Sequence, residues 1–107
     1  MISNNDLASG EKIAALFSQL SQPARIQILL VIREQEACVC HLVAALGLRQ
    51  AAISQHLMAL RETGLVKTRR KSRFVYYYIS EKKLVSFIYS AAEILGISPD
   101  EIDRLSH

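Results

Sequence analysis

Both cysteines of this 107-residue chain fall in one stretch, Ala37-Cys38-Val39-Cys40-His41-Leu42, a single residue apart and followed by a histidine. Three chemistries fit those residue types. Buried thiols can be small, inert hydrophobes, a thiol pair can be oxidised, or two thiolates can open a metal or metalloid site. Thiolates are soft donors, so the acceptors they select are arsenite, antimonite, cadmium or zinc. His41 beside them is a third candidate ligand, and its nitrogen shifts preference toward zinc or cadmium. Geometry restricts these options. On a regular helix, residues two apart point about 200° away from each other. Cys38 and Cys40 therefore face one ion only if the helix start is irregular or unwound, and a disulfide between them is expected to be strained. Oxidation to a sulfenic acid, or a bond between subunits, is the easier redox outcome.

A second set of residues points to nucleic acid. The net charge of +3 is modest but unevenly spread. Positions 61–83 carry Arg61, Lys67, Arg69, Arg70, Lys71, Arg73, Lys82 and Lys83 against Glu62 and Glu81, which is eight of the thirteen basic residues. A basic segment of this kind has the form of a phosphate-binding surface, although a solvated charge run has the same composition. Just before it lies "RQAAISQHLMALRETG", in which Ile53, Leu57 and Leu60 define one helical face. Ala51, Gln55, Met58 and Ala59 lie opposite, flanked by Ala52 and Ser54. Small side chains let a helix approach a groove wall, the Gln55 amide can pair with adenine, and alanine methyls can touch thymine. Ser54, His56 and Gln50 are placed for phosphates or groove edges. Each phosphate neutralised by Arg69, Arg70, Lys71 or Arg73 adds roughly 0.9 to the salt slope of binding.

Enzyme chemistry finds little support. The chain has no C-x-x-C pair and no glycine-rich phosphate loop. Ser54 and His56, two apart on one helix, do not share a face as a nucleophile and base must.

The elements that must position these residues follow from periodicity. Ile13, Leu16, Phe17 and Leu20 recur at helical spacing over 11–20. "SQPARIQILLVIRE" predicts a second helix with Ser21 as N-cap, Pro23 in the first turn, and Ile26, Leu29, Leu30 and Ile32 inward. "CVCHLVAALG" reads as a short helix closed by Gly47, and Gly64 stops the helix after it. "LVKTR", the turn-like "RKSR" and "FVYYYIS" predict a hairpin, with Tyr76, Tyr77 and Tyr78 alternating sides so that at least one is core. Helical spacing returns through Leu84, Phe87, Ile88, Ala91 and Leu95. "SPDE" is a capping box opening a last helix, with Ser98 as N-cap and Glu101 three residues on. The fold class is mainly α with a small β-hairpin. It is a single winged helix-turn-helix domain over 1–107, with 38–64 the helix-turn-helix and 65–79 the wing. No apolar run approaches the ~18–20 residues that span a bilayer. The N-terminus lacks the features of a secretory signal, so a reducing cytoplasm is expected.

The segments "LSQPARIQILLVI", "CVCHLVAALGLRQAAISQHLMALRETGLV" and "RRKSRFVYYYI", in that order, resemble the ArsR/SmtB family of winged-helix, metal-sensing bacterial repressors over about Ile13 to Leu95. The resemblance implies a homodimer built from helices at 11–20 and 81–95, which meets a palindromic double-stranded operator. It places Cys38 and Cys40 at the "CVC" ligands of the arsenic-sensing branch, whose third thiol position is Val43 here and whose usual aspartate is His41. It also places Arg49 where the family often has a capping serine, so the cap is exchanged for a cation near the phosphates. The family's other common site, histidines and acids on the last long helix, has no counterpart: 81–95 contain no histidine, and His107 lies at the tail. The expected function is a repressor released when arsenite or antimonite, or else cadmium or zinc, binds Cys38 and Cys40, with no organic cofactor. A thiol-based redox repressor of the same fold is the alternative. A winged helix used only for protein contacts is a third reading, opposed by the wing arginines.

Overall fold

The computed structural model describes residues 4–105, so His107 lies outside the described residues. Six helices and one hairpin follow in the order α1 (Asn4–Gln19), α2 (Pro23–Ile32), α3 (Val39–Leu46), α4 (Gln50–Glu62), β1 (Val66–Lys71), β2 (Phe74–Ile79), α5 (Lys83–Ile94) and α6 (Pro99–Leu105). α1 starts at Asn4, well before residue 11, and its first turns lack the apolar period that marks the helix over 11–20. Pro23 opens α2 as expected, but the N-cap is Gln22. The Ser21 hydroxyl instead donates to the Ser18 carbonyl at 2.7 Å and so closes α1. Ser98 caps α6 as expected, with the Glu101 N–H donating to Ser98 Oγ at 3.3 Å, while the Glu101 carboxylate meets the Ser98 hydroxyl at 3.5 Å instead of the Ser98 N–H.

One core runs through these elements. Ile28, Leu29, Leu42, Ile53, Leu57, Leu60 and Val66 have no exposed surface. Ile28, which the sequence pattern left out, is among them, and Ile26 is only half-buried. α4 thus lies with one face sealed against α2, α3 and the start of β1. The turn into α4 passes through Gly47 at φ 67°, a left-handed backbone that favours glycine, and its N–H donates to the Val43 carbonyl at 2.9 Å.

The hairpin is antiparallel, with Val66 opposite Ile79 and Lys71 opposite Phe74. Only Ser72 and Arg73 remain for the turn, so Arg70 and Lys71 belong to the strand, and Ser72 takes a positive φ of 59°. Cross-strand partners share a face. Val66, Thr68, Tyr77 and Ile79 therefore line the inner face, where Tyr77 and Ile79 pack on the core. Lys67, Arg69 and Lys71 share the other face with Tyr78, Tyr76 and Phe74.

Truncating Leu57 removes a fully buried side chain from the centre of α4. Leu57→Ala is expected to cost about 2–5 kcal/mol. At fixed protein concentration this appears as a lower urea midpoint with an unchanged slope.

Candidate nucleic-acid interface and dithiol site

Opposite its buried face, α4 presents Gln50, Ala51, Gln55 and Met58 to solvent, with Met58 62% exposed and Ser54 half-buried. Arg49, just ahead of the helix, is exposed and makes no side-chain cap. On the wing, Arg70, Lys71 and Arg73 are exposed and enter no ion pair among the described residues. Lys67 shares a face with Arg69 and Lys71. Applying the twofold period of a strand to "VKTRRK" would have added it to the expected cations.

Two expected DNA contacts are engaged inside the protein. Arg25 Nε donates to His56 Nδ1 at 3.1 Å, while Arg25 Nη1 reaches the Gln19 side chain at 2.8 Å. This chain of bonds ties the end of α1 and the start of α2 to α4. Burial lowers the His56 pKa below its ordinary 6.5, and the Arg25 guanidinium lowers it further. Arg69, on β1, is ion-paired with Glu36, which sits in the turn between α2 and α3. Neither partner carries a local pattern, because 31 and 33 residues separate each pair.

The cysteines are positioned differently from two neighbours on a helix. α3 begins at Val39, and Cys38 is its N-cap, with extended backbone at φ −84° and ψ 168°. The divergence of about 200° between helical positions therefore does not apply to Cys38. Its side chain turns along the helix end toward Cys40 with a Cα–Cα separation of 5.4 Å, and the two sulfurs are bonded to each other. The local pair, expected to be the harder redox outcome, is the one that forms. Cys38 Sγ also accepts the His41 N–H at 3.3 Å, as an N-cap side chain does. His41 itself is exposed. Among the described residues, no three of His, Cys, Asp and Glu gather as a metal-ligand group.

Immediately before this site, Ala37 is buried and pairs with β2. Its N–H donates to the Tyr77 carbonyl at 3.1 Å, and the Tyr77 N–H donates back to the Ala37 carbonyl at 2.8 Å. Residues 36 and 37 therefore touch, in turn, a wing cation and the wing backbone, and residue 38 supplies one sulfur of the bonded pair.

Residues 22–68, which hold α2, the helix-turn-helix and the start of the wing, match the model of the bacterial regulatory protein, arsR family. A transcriptional repressor SmtB homolog from Synechocystis sp. is 35% identical over 89 residues, which cover 83% of this chain and 67% of that protein. The chain belongs to the arsR family of bacterial regulatory proteins. An arsenic resistance transcriptional regulator of Pseudomonas putida is 48% identical over a shorter 63 residues, 58% of this chain and 49% of that one. Among solved structures, NolR from Sinorhizobium fredii superposes with a TM-score of 0.83 at 33% identity, covering 92% of this chain and 98% of that one. A homodimeric winged helix-turn-helix DNA-binding domain from Mycobacterium bovis gives 0.72 at 26% identity, covering 90% and 88%. The winged helix-turn-helix expectation is met, and the enzyme reading falls away with the family. No helix among the described residues is long and apolar enough to cross a membrane.

Because folding lowers the His56 pKa, the unfolded chain takes up a proton first. The contribution of a neutral His56 is fully present above about pH 6.5 and shrinks as pH falls through that value toward the lower folded one. The urea midpoint of the wild type is expected to drop between about pH 7.5 and about pH 5.5 by more than that of His56→Gln.

Proposed function

We propose that this chain is a transcriptional repressor that grips an operator duplex as a homodimer and releases it when arsenite or antimonite bridges Cys38 and Cys40. The observation that carries this reading is the convergence of the two sulfurs at the start of α3, in the helix-turn-helix itself. Two converging thiols suit a trivalent metalloid. A thiol reductant first returns the disulfide to two S–H groups, and these with As(OH)3 give an S–As–S bridge that keeps one hydroxide, with two waters released. A tetrahedral zinc or cadmium ion wants four protein donors or nearly so, and this segment offers two sulfurs with His41 exposed beside them. The likeness to an arsenic resistance regulator supports the same choice.

On the DNA side, α4 would enter the major groove with Gln50, Ala51, Ser54 and Gln55 toward base edges. Arg49, Arg70, Lys71 and Arg73 would reach phosphates, and Lys67 joins that set. His56 and Arg69 act from behind, through Arg25 and Glu36.

Dimerisation rests on exposed apolar surface. Leu7, Ile13 and Phe17 on α1 are more than half exposed, and Ile94 and Leu95 at the end of α5 are 86% and 73% exposed. Phe17 stacks on Phe87 at 5.7 Å and bridges the two helices. The radius of gyration is 15.1 Å, against about 13 Å for a compact chain of this length. An elongated body with a bare apolar stripe is what one half of a symmetric dimer looks like. A twofold axis through that stripe would present two α4 helices to a palindromic operator.

The bond between the sulfurs favours a second reading, in which oxidation is the signal. Hydrogen peroxide would take two electrons and two protons from the dithiol, leaving the disulfide and two waters.

Cys38→Ser and Cys40→Ser are expected to retain DNA binding, since serine caps α3 at least as well as cysteine at 38 and residue 40 is exposed on the first turn. Both should lose release by arsenite in an operator-binding assay; full retention of the response would overturn the sensing role. Peroxide tested in parallel separates the two signals. Ile94→Glu places a charge in the proposed dimer face without touching the core. It is expected to shift the dimer toward monomer in sedimentation equilibrium and to weaken operator binding.

A further inference from the structure

We infer that Glu36 is a positioning residue for the wing, and that residues 36–38 form the lever by which the state of the dithiol reaches it. The inference rests on the dithiol reading above and adds the route.

The covalent geometry supplies the first step. The Ala37 carbonyl that accepts the Tyr77 N–H at 2.8 Å belongs to the peptide unit joining Ala37 to Cys38. That unit is planar and moves as one body. Rotation about the N–Cα bond of Cys38, now at φ −84°, swings this carbonyl relative to the Cys38 side chain. Reducing the sulfur pair to two S–H groups with a thiol reductant, or then spanning those sulfurs with arsenic, changes the separation Cys38 must accommodate and so acts on that rotation. Ala37 is only 3% exposed and cannot slide aside. The displacement is passed to Tyr77.

Tyr77 is well placed to receive it. Both of its main-chain hydrogen bonds go to Ala37, so its bonds to β1 are supplied by the flanking residues. Residue 37 therefore acts as a one-residue third strand on the outer edge of β2. Tyr77 also lies on the core side of the hairpin, where a shift alters how the wing sits on the body.

Glu36 makes the second connection. Its carboxylate holds the Arg69 guanidinium, and Arg69 pairs in the ladder with Tyr76, next to Tyr77. The pair stands on the wall of an open groove of about 860 Å³ between the α2–α3 turn, the wing and α5. The Arg69 side chain is 59% exposed and that of Glu36 25%, so the arginine can swing away while the carboxylate stays seated against the turn. A backbone hinge at 37 and a releasable charge pair at 36 together tie the wing to one conformation of Cys38. Arg69 is retained by Glu36 in that conformation and released in the other.

The test uses the full chain, a duplex recovered by selection from random sequence with the reduced protein, and arsenite as the probe. The readout is the ratio of DNA dissociation constants with and without arsenite. A single exposed ion pair is worth at most about a fivefold factor. Glu36→Gln is therefore expected to shrink the wild-type ratio by roughly threefold to fivefold, while arsenite uptake by mass spectrometry stays stoichiometric. Glu36→Asp, which keeps the charge, is expected to restore most of the ratio. Independently of any variant, hydrogen exchange at the Tyr77 amide of the wild type should quicken or slow on arsenite addition. If the wild type responds to arsenite, yet Glu36→Gln responds equally and Tyr77 exchange does not change, the lever is refuted while dithiol sensing stands. If the wild type takes up arsenite and keeps its DNA affinity, the sensing reading fails and the lever falls with it.

Discussion

Ile53, Leu57 and Leu60 lie fully buried along one side of α4, and every other feature of the interface is arranged around that seal. Helix α4 cannot roll without exposing them, so the small and amide side chains on the opposite face are held outward. The same seal joins α4 to α2, α3 and the first residue of the wing, because Leu29, Leu42 and Val66 close the cluster. Hydrophobic burial thus sets the angle between helix and wing. The polar residues then act from a frame they did not have to build.

Against that frame, the short segment between α2 and α3 has an unusual density of tasks. Within three residues it supplies a carboxylate for a wing arginine, a main-chain partner for β2 and a helix cap made of sulfur. Each interaction alone is modest. Their value lies in sharing one backbone, where a torsion change at one residue necessarily moves the next.

The helices, the hairpin and the α6 cap were legible because their signals are local: apolar period, glycine stops, and Ser98 with Glu101. The outward residues of α4 followed from the same period. What escaped the sequence is non-local or concerns a boundary. Whether Cys38 is the first residue of α3 or its cap changes the direction of its side chain completely, and no pattern in "ACVCHL" separates the two. Arg25 with His56 and Glu36 with Arg69 are long-range pairs whose members look like ordinary surface charges. The fully buried Ile28 was missed because α2 is apolar on nearly all sides, with Ile26 beside it only half-buried.

The hairpin turn holds only Ser72 and Arg73, with the serine in left-handed backbone. A strand turns its side chains over at every residue, so adding or deleting one residue there would exchange the two faces of one strand. Lys67, Arg69 and Lys71 would then be driven toward the interior, and Val66 and Thr68 out into water. The length of this arm is therefore as much a part of its design as its charge, and a substitution at the tip disturbs it far less than an insertion or deletion.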